Sequence, residues 1–439
     1  MEFFSHIGAR VEQRWRARNF DERAFPEIAT VVLAESSPAQ HITYADVIDA
    51  LLVGNALPPQ PQELSFGQPP ITVYSHPRFY IEVLCWMDAT TSIHQHAFSG
   101  AFHVLAGSSV HTRYEFHPRE RINQHFIIGD VRFAECELLR TGDTRTIQAG
   151  NEFIHALFHL DRPSISIVLR TRVELDTGPQ YDYIPPYLAI NRFETNPVDA
   201  QRELIMRMLL ATDPAAFERR VRAVAAEADL PTVYRMLRFA YMHAVVPPYD
   251  LRHDEVDALA EVARKRFGGI GDTLLTTIAS AARIDDIALR RAEVTDLDHR
   301  FFLALLMNLP NQAEIYHLVA KRFDSEPSQL VKRWLREMTR VTPEGTVSLL
   351  DIELGGTASH DDPTRADAVV SLLHAVIEHM LDGAQDGALL ARLREARPAD
   401  DIEEIENAII ELQGSLLRGA LQPLFVRRRA VCSMVGVTP

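Results

Sequence analysis

Residues 79–107 read FYIEVLCWMDATTSIHQHAFSGAFHVLAG, and the reading of this stretch decides the fold. Two apolar runs rich in β-branched and aromatic residues bracket a polar turn and a His-x-His pair. In a strand, residues i and i+2 point to the same face, so His94 and His96 would present two imidazoles side by side. A metal ion, a catalytic base or coincidence would each account for such a pair in a chain with 18 histidines.

Working outward, the same texture runs from about Ile71 to Arg172. Short runs such as ITVY, VHTRYEF, NQHFIIG, TRTIQA and SISIVLRTR are punctuated by Gly, Asp, Pro and Ser. Many short strands separated by turns indicate an all-β sandwich or small barrel. Residues 1–57 carry apolar residues at helical spacing, and PPQPQELSFGQPP (58–70) has a linker's composition. Beyond residue 195, segments such as PAAFERRVRAVAAEAD and SQLVKRWLREMTR are amphipathic at helical period, without a fixed repeat. The expected architecture is α+β and multidomain. It comprises an N-terminal helical arm (1–57), a β-barrel domain (58–190) and a large all-α domain (195–439).

Composition bounds the function. The chain has 439 residues, more than one ordinary domain holds, with 46% hydrophobic and 24% charged residues, as in soluble globular proteins. A net charge of −15 argues against a nucleic-acid partner held by phosphate neutralisation, despite the local basic run VRRRAV (426–431). No apolar run is long enough to span a membrane and no secretory leader is visible, so a membrane partner is not expected. Cys85, Cys136 and Cys432 are scattered, which fits neither a disulfide framework nor a zinc ribbon; a reducing cytoplasm is the expected compartment.

A two-histidine site needs at least one more ligand. QAGNEFIHALFHLDRP (148–163) offers His155, placed after a Gly-Asn turn at an expected strand start. Three histidines leave coordination positions open for substrate and oxygen. His159, four residues on, reads as a base behind the ligands, as an alternative ligand, or as a partly buried, hydrogen-bonded histidine.

The stretch 79–107 resembles the core motif of the cysteine dioxygenase-type cupins, in which an apolar strand ending in Trp leads through a polar turn into Ser-Ile-His-x-His-x-x-Ser. Trp86, Ser92, Ile93, His94, His96, Ser99, Leu105 and Gly107 match it. Downstream, His155 matches the third ligand, and Pro163 and Ser166 match the proline-then-serine strand that follows. The resemblance covers roughly a quarter of the chain and implies a small cupin barrel (a double-stranded β-helix), Fe(II) held by His94, His96 and His155, and oxygen activation on a small thiol-bearing or acidic substrate.

The departures limit how far this carries. Where general cupins place a carboxylate ligand, this chain has Gly100 and Ala101, and Ala101 also excludes the cysteine–tyrosine crosslink of some thiol dioxygenases. The family's outer Ser-His-Tyr series reads Ser166, Val168, Arg170 here, and Arg78 is out of register for an arginine on the early strand that grips an amino-acid carboxylate. If the register holds, Arg170 shares the metal-facing side with Ser166. It then either anchors an acidic substrate, pairs internally with Glu82 or Glu152, or lies at an exposed strand end.

In the helical region, Glu314 and His317 have the E-x-x-H spacing of di-iron bundles, but a second copy is missing. The leading expectation is an Fe(II)-dependent oxygenase acting on a small molecule and O2. The alternative is a non-catalytic, metal-stabilised cupin that binds a small acid or a protein partner. In either case the helical region would serve as a lid, an interaction module or a homo-oligomer contact.

Overall fold

The structure, a computed structural model, describes residues 2–53, 57–60, 67–87, 91–172, 177–191, 196–245, 253–338, 363–384, 386–397 and 419–427, with isolated residues between them. Part of the linker, most of the basic run at 426–431 and Cys432 lie outside the described residues. The chain divides into two compact units, residues 1–282 and 283–439.

The first unit opens with helices α1 (Glu2–Arg16), α2 (Phe25–Ser36), α3 (Pro38–His41) and α4 (Tyr44–Leu52). In α1, Phe4, Ile7, Val11 and Trp15 recur every three or four residues and form its buried stripe. α4 begins with a reciprocal capping box between Thr43 and Asp46.

Eleven strands follow among the described residues: β1 (Pro70–Ser75), β2 (Phe79–Trp86), β3 (Ile93–His96), β4 (Gly100–Ala106), β5 (Ser108–Asn123), β6 (Phe126–Arg140), β7 (Thr144–Ile147), β8 (Gly150–His159), β9 (Ser164–Thr171), β10 (Tyr181–Ile184) and β11 (Leu188–Asn191). They form a five-stranded sheet in the order β1-β2-β9-β4-β7 and a closed six-stranded barrel in the order β10-β11-β6-β5-β8-β3. Every strand pair is antiparallel. This is the expected α+β layout, with a closed antiparallel barrel flanked by helices.

Alternation along β2 and β9 sorts the sheet's two faces. Phe79, Ile81, Val83 and Cys85, with Ile165, Ile167 and Leu169, pack against the α1 and α2 stripe in one core. Leu84, Trp86 and Val168 point the other way, into a second core with Phe98, Phe102, Phe153 and Leu157. The N-terminal helices therefore pack on the face of the five-stranded sheet that points away from the second core. α1 approaches so closely at Gly8 that an added Cβ would lie 2.3 Å from the Tyr74 ring. The edge strand β1 is covered locally, because the Gln60 side chain bonds both the N–H and the C=O of Thr72 at 2.9 Å.

Helices α5 (Pro197–Thr212), α6 (Pro214–Glu227), α7 (Leu230–Val245) and α8 (His253–Phe267), with the start of α9 (Gly269–Glu293), share a core with Phe126, Ile128 and Leu188 of the barrel. The boundary between the units falls inside α9, whereas the change in sequence texture falls near residue 195.

In the second unit, α10 (Leu297–Asn308) is buried continuously from Arg300 to Met307, the mark of a central helix. α11 (Gln312–Arg322) and the amphipathic α12 (Pro327–Met338) follow, with Phe302 against Trp334. Among the described residues no helix is long and apolar enough to cross a membrane.

Candidate metal centre

β3 lies between β10 and β8 in the barrel, and its register places His94 opposite His155. A register shift between His94 and His96 brings His96 opposite Gly150. His155 thus sits mid-strand in β8, not at a strand start as its position after Gly-Asn suggested. The three imidazoles converge: one ligand-capable nitrogen from each lies within 4.8 Å of the others, and His96 Nε2 is 2.9 Å from His155 Nε2. All three are buried, at 1%, 4% and 2% exposure for His94, His96 and His155.

Electrostatics favour the neutral form of His96 and His155. Burial, followed by the neighbouring imidazoles, lowers the pKa of His96 and His155 well below the ordinary value. A neutral imidazole offers one lone pair, the form a metal requires. His94 Nδ1 lies 2.7 Å from the carbonyl of Ser92, to which its N–H donates, leaving Nε2 as the lone-pair nitrogen. Nitrogens bonded to one ion at about 2.0–2.1 Å lie within about 4.2 Å of each other, and the His96–His155 separation satisfies this. The donor set fits a divalent transition ion.

The rings open onto a cavity of about 40 Å³ lined by Glu82, Trp86, Phe98, Ser166, Val168 and Arg170 among others. Ser166, Val168 and Arg170 do share the inner face, as strand alternation requires. Trp86 Nε1 donates to Ser166 Oγ at 3.1 Å. Arg170 stacks on Phe98, its guanidinium carbon 3.4 Å from the ring centroid. Its ion pair with Glu82 is loose, at 3.9 Å, and its Nε is buried without a hydrogen-bond partner among the described residues. Burial lowers the Arg170 pKa and raises that of Glu82.

The absent carboxylate ligand has a steric cause. A Cβ on Gly100 would lie 2.1 Å from the Leu169 carbonyl oxygen, so no side chain fits there. Ala101 points away from the centre, into the core shared with the N-terminal helices.

His159 does not join the cluster. Its Nδ1 lies 3.0 Å from Ser109 Oγ and 3.2 Å from Ser164 Oγ, and its ring stacks on Trp86 at 4.6 Å. Two residues that the sequence reading did not single out do join it. His111 Nε2 is 3.1 Å from His155 Nδ1, and His111 Nδ1 is 2.8 Å from Glu137 Oε1. They sit on β5 and β6, and only strand pairing brings them beside β8; spacing carries no signal for them.

Among the described residues the three histidines are the one group arranged to hold a metal. In α11, Glu314 is half-buried and His317 exposed, and Glu378 pairs with Arg336. A larger, open cavity of about 570 Å³ lies outside the barrel between β10, β11 and helices α5 and α7. Three arginines line it, but Arg207 and Arg238 are exposed and Arg235 is paired with Asp199 at 3.3 Å. The small cavity, not this one, is lined by the three-histidine group.

No protein-family model matches the chain, and no curated protein matches its sequence. Solved structures similar to it include a cupin-2 domain protein from Shewanella frigidimarina, 12% identical over 30% of this chain and 96% of that one, with a TM-score of 0.18. Hydroquinone 1,2-dioxygenase from Sphingomonas sp. TTNP3 is 10% identical over 28% of this chain and 71% of that one, at a TM-score of 0.19. The DMSP lyase DddQ from Ruegeria pomeroyi is 18% identical over 34% of this chain and 77% of that one, at 0.21.

Proposed function

We propose that this chain is a mononuclear non-haem Fe(II) oxygenase of the three-histidine cupin class, acting on a small thiol-bearing or acidic metabolite. The observation that carries the reading is the convergence of three buried imidazoles on a cavity that an incompletely paired arginine also lines. His94, His96 and His155 would hold the iron, which when bound would supply open positions for a chelating substrate and dioxygen.

The remaining roles belong to the chain's own side chains. Arg170, with a free buried Nε and only a loose partner in Glu82, would grip a substrate carboxylate by charge-assisted hydrogen bonds. Phe98, Phe102 and Leu157 would exclude bulk water, strengthening that attraction. Glu82, whose carboxyl is pushed upward by burial, sets the cost of displacing Arg170 from its present partner.

One observation favours a second reading. Val168 and Arg170 stand where the family has a histidine and a tyrosine. A non-catalytic, metal-stabilised barrel that binds a small acid needs neither of those side chains. Purification without oxygen, metal analysis and oxygen uptake across a thiol panel separate the two readings. The oxygenase reading expects about one iron per chain and substrate-dependent oxygen consumption, both lost in His155→Ala. Full iron with no oxygen uptake on any substrate would leave the binding protein standing.

A further inference from the structure

We infer that Glu137 and His111 are positioning residues for the metal centre, fixing the tautomer of His155 so that its Nε2 lone pair faces His94 and His96. The inference deepens the proposed metal site and rests on it.

Glu137 and His111 are direct cross-strand partners on β6 and β5. Arg145 grips both carboxylate oxygens of Glu137, with Nε 2.8 Å from Oε1 and Nη2 2.5 Å from Oε2. A carboxylate held in this way is an acceptor only. At 2.8 Å from Oε1, His111 Nδ1 must therefore carry its proton and donate it. A neutral ring has one such proton, so His111 Nε2 holds only a lone pair. It faces His155 Nδ1 at 3.1 Å, which must then be the donor. His155 Nε2 is left with the lone pair, and it is this nitrogen that lies 2.9 Å from His96. The reverse assignment would set a bare imidazole nitrogen against a carboxylate oxygen at 2.8 Å. It would do so at a ring only 1% exposed, where an unmade hydrogen bond is costly.

The relay crosses three neighbouring strands, and its outer end is wet, because the Glu137 side chain is 33% exposed. His94 is oriented by a different device, the backbone carbonyl of Ser92. Partners of this kind raise ligand basicity and hold ring orientation, and their loss commonly costs about 10–100-fold in metal affinity.

The test uses the full chain, Co(II) as the probe metal, and chelator competition to read affinity. His111→Phe, which removes the acceptor, should weaken Co(II) binding about 10–100-fold and shift its ligand-field spectrum. His111→Gln, whose amide oxygen still accepts from His155 Nδ1, should recover most of the affinity. Glu137→Gln, at a partly exposed position, should weaken binding less than His111→Phe. Long-range ¹H–¹⁵N imidazole spectra of the metal-free wild type should show Nδ1–H on both His111 and His155. That readout needs no variant to fold, and Nε2–H on His155 would overturn the inference. If wild type binds Co(II), His155→Ala does not, and folded His111→Phe binds as wild type does, the inference falls while the metal site stands. If wild type binds no Co(II), the metal-site reading falls and takes this inference with it.

Discussion

Gly100 shows how one residue fixes the chemistry of the centre. With the Leu169 carbonyl 2.1 Å from any Cβ, a carboxylate cannot be restored at this position. Gly100→Asp should therefore lose stability, at or beyond the upper end of the about 1–3 kcal/mol that overpacking costs, without gaining a ligand; thermal melting and metal content would check both. Arg170 and Glu82 form a pair at 3.9 Å in the small cavity beside the histidines. Arg170→Met alone leaves Glu82 buried without its cation, so it should destabilise more than Arg170→Met with Glu82→Gln. A double-mutant cycle by urea unfolding should return a coupling of about 0.5–3 kcal/mol, and additivity would remove Arg170's present partner. His159 carries a pH signature. Burial lowers its pKa to about 3, against an ordinary 6.5. The unfolded chain binds the proton first, so the stability linked to this ring is complete above about pH 6.5 and declines as pH falls toward 3, by at most about 1.4 kcal/mol per unit. His159→Gln should flatten the fall in urea midpoint between pH 6.5 and 5 relative to wild type; an unchanged profile would place the acid sensitivity elsewhere.

At the scale of elements, the alternation of β2 and β9 was legible in the sequence because a strand's period of two needs no partner to be seen. Ser166, Val168 and Arg170 fall on one inner face for that reason. Strand neighbours were not legible. His111 is 44 residues from His155, and the two meet only because β5 lies between β6 and β8 in the barrel. The helical spacing of residues 1–57 was equally visible, but what α1 covers was not. Trp15 is 2% exposed and packs on Phe25 and Phe79, with its Nε1 donating to the Asp21 carbonyl at 2.8 Å. Trp15→Ala should cost about 3–5 kcal/mol, measured by denaturant unfolding of the full chain. A loss below about 1 kcal/mol would mean that α1 is peripheral to the core it shares with the five-stranded sheet.

For the whole molecule, ligand linkage gives the broadest check. An ion that binds only the folded state stabilises it by about 2.7 kcal/mol at one hundred times its dissociation constant. Fe(II) or Co(II) should therefore raise the thermal midpoint of the full chain, a chelator should reverse the gain, and His94→Ala should abolish it. Secondary-structure class, the helix–strand–helix succession and the pairing of His94 with His96 on one strand were set by the sequence alone, because each depends on local periodicity. The expected divisions at residues 57 and 195 follow texture in the same way. The two compact units divide at residue 282, and α5 to α8 bury their apolar stripes against Phe126, Ile128 and Leu188 of the barrel. Only the tertiary structure decided which distant residues share a core, that His155 meets His94 across a strand pair, and that Glu137 and His111 stand behind it. Those contacts are matters of register and closure, which depend on the free energy of the assembled sheets and leave no spacing to read along the chain.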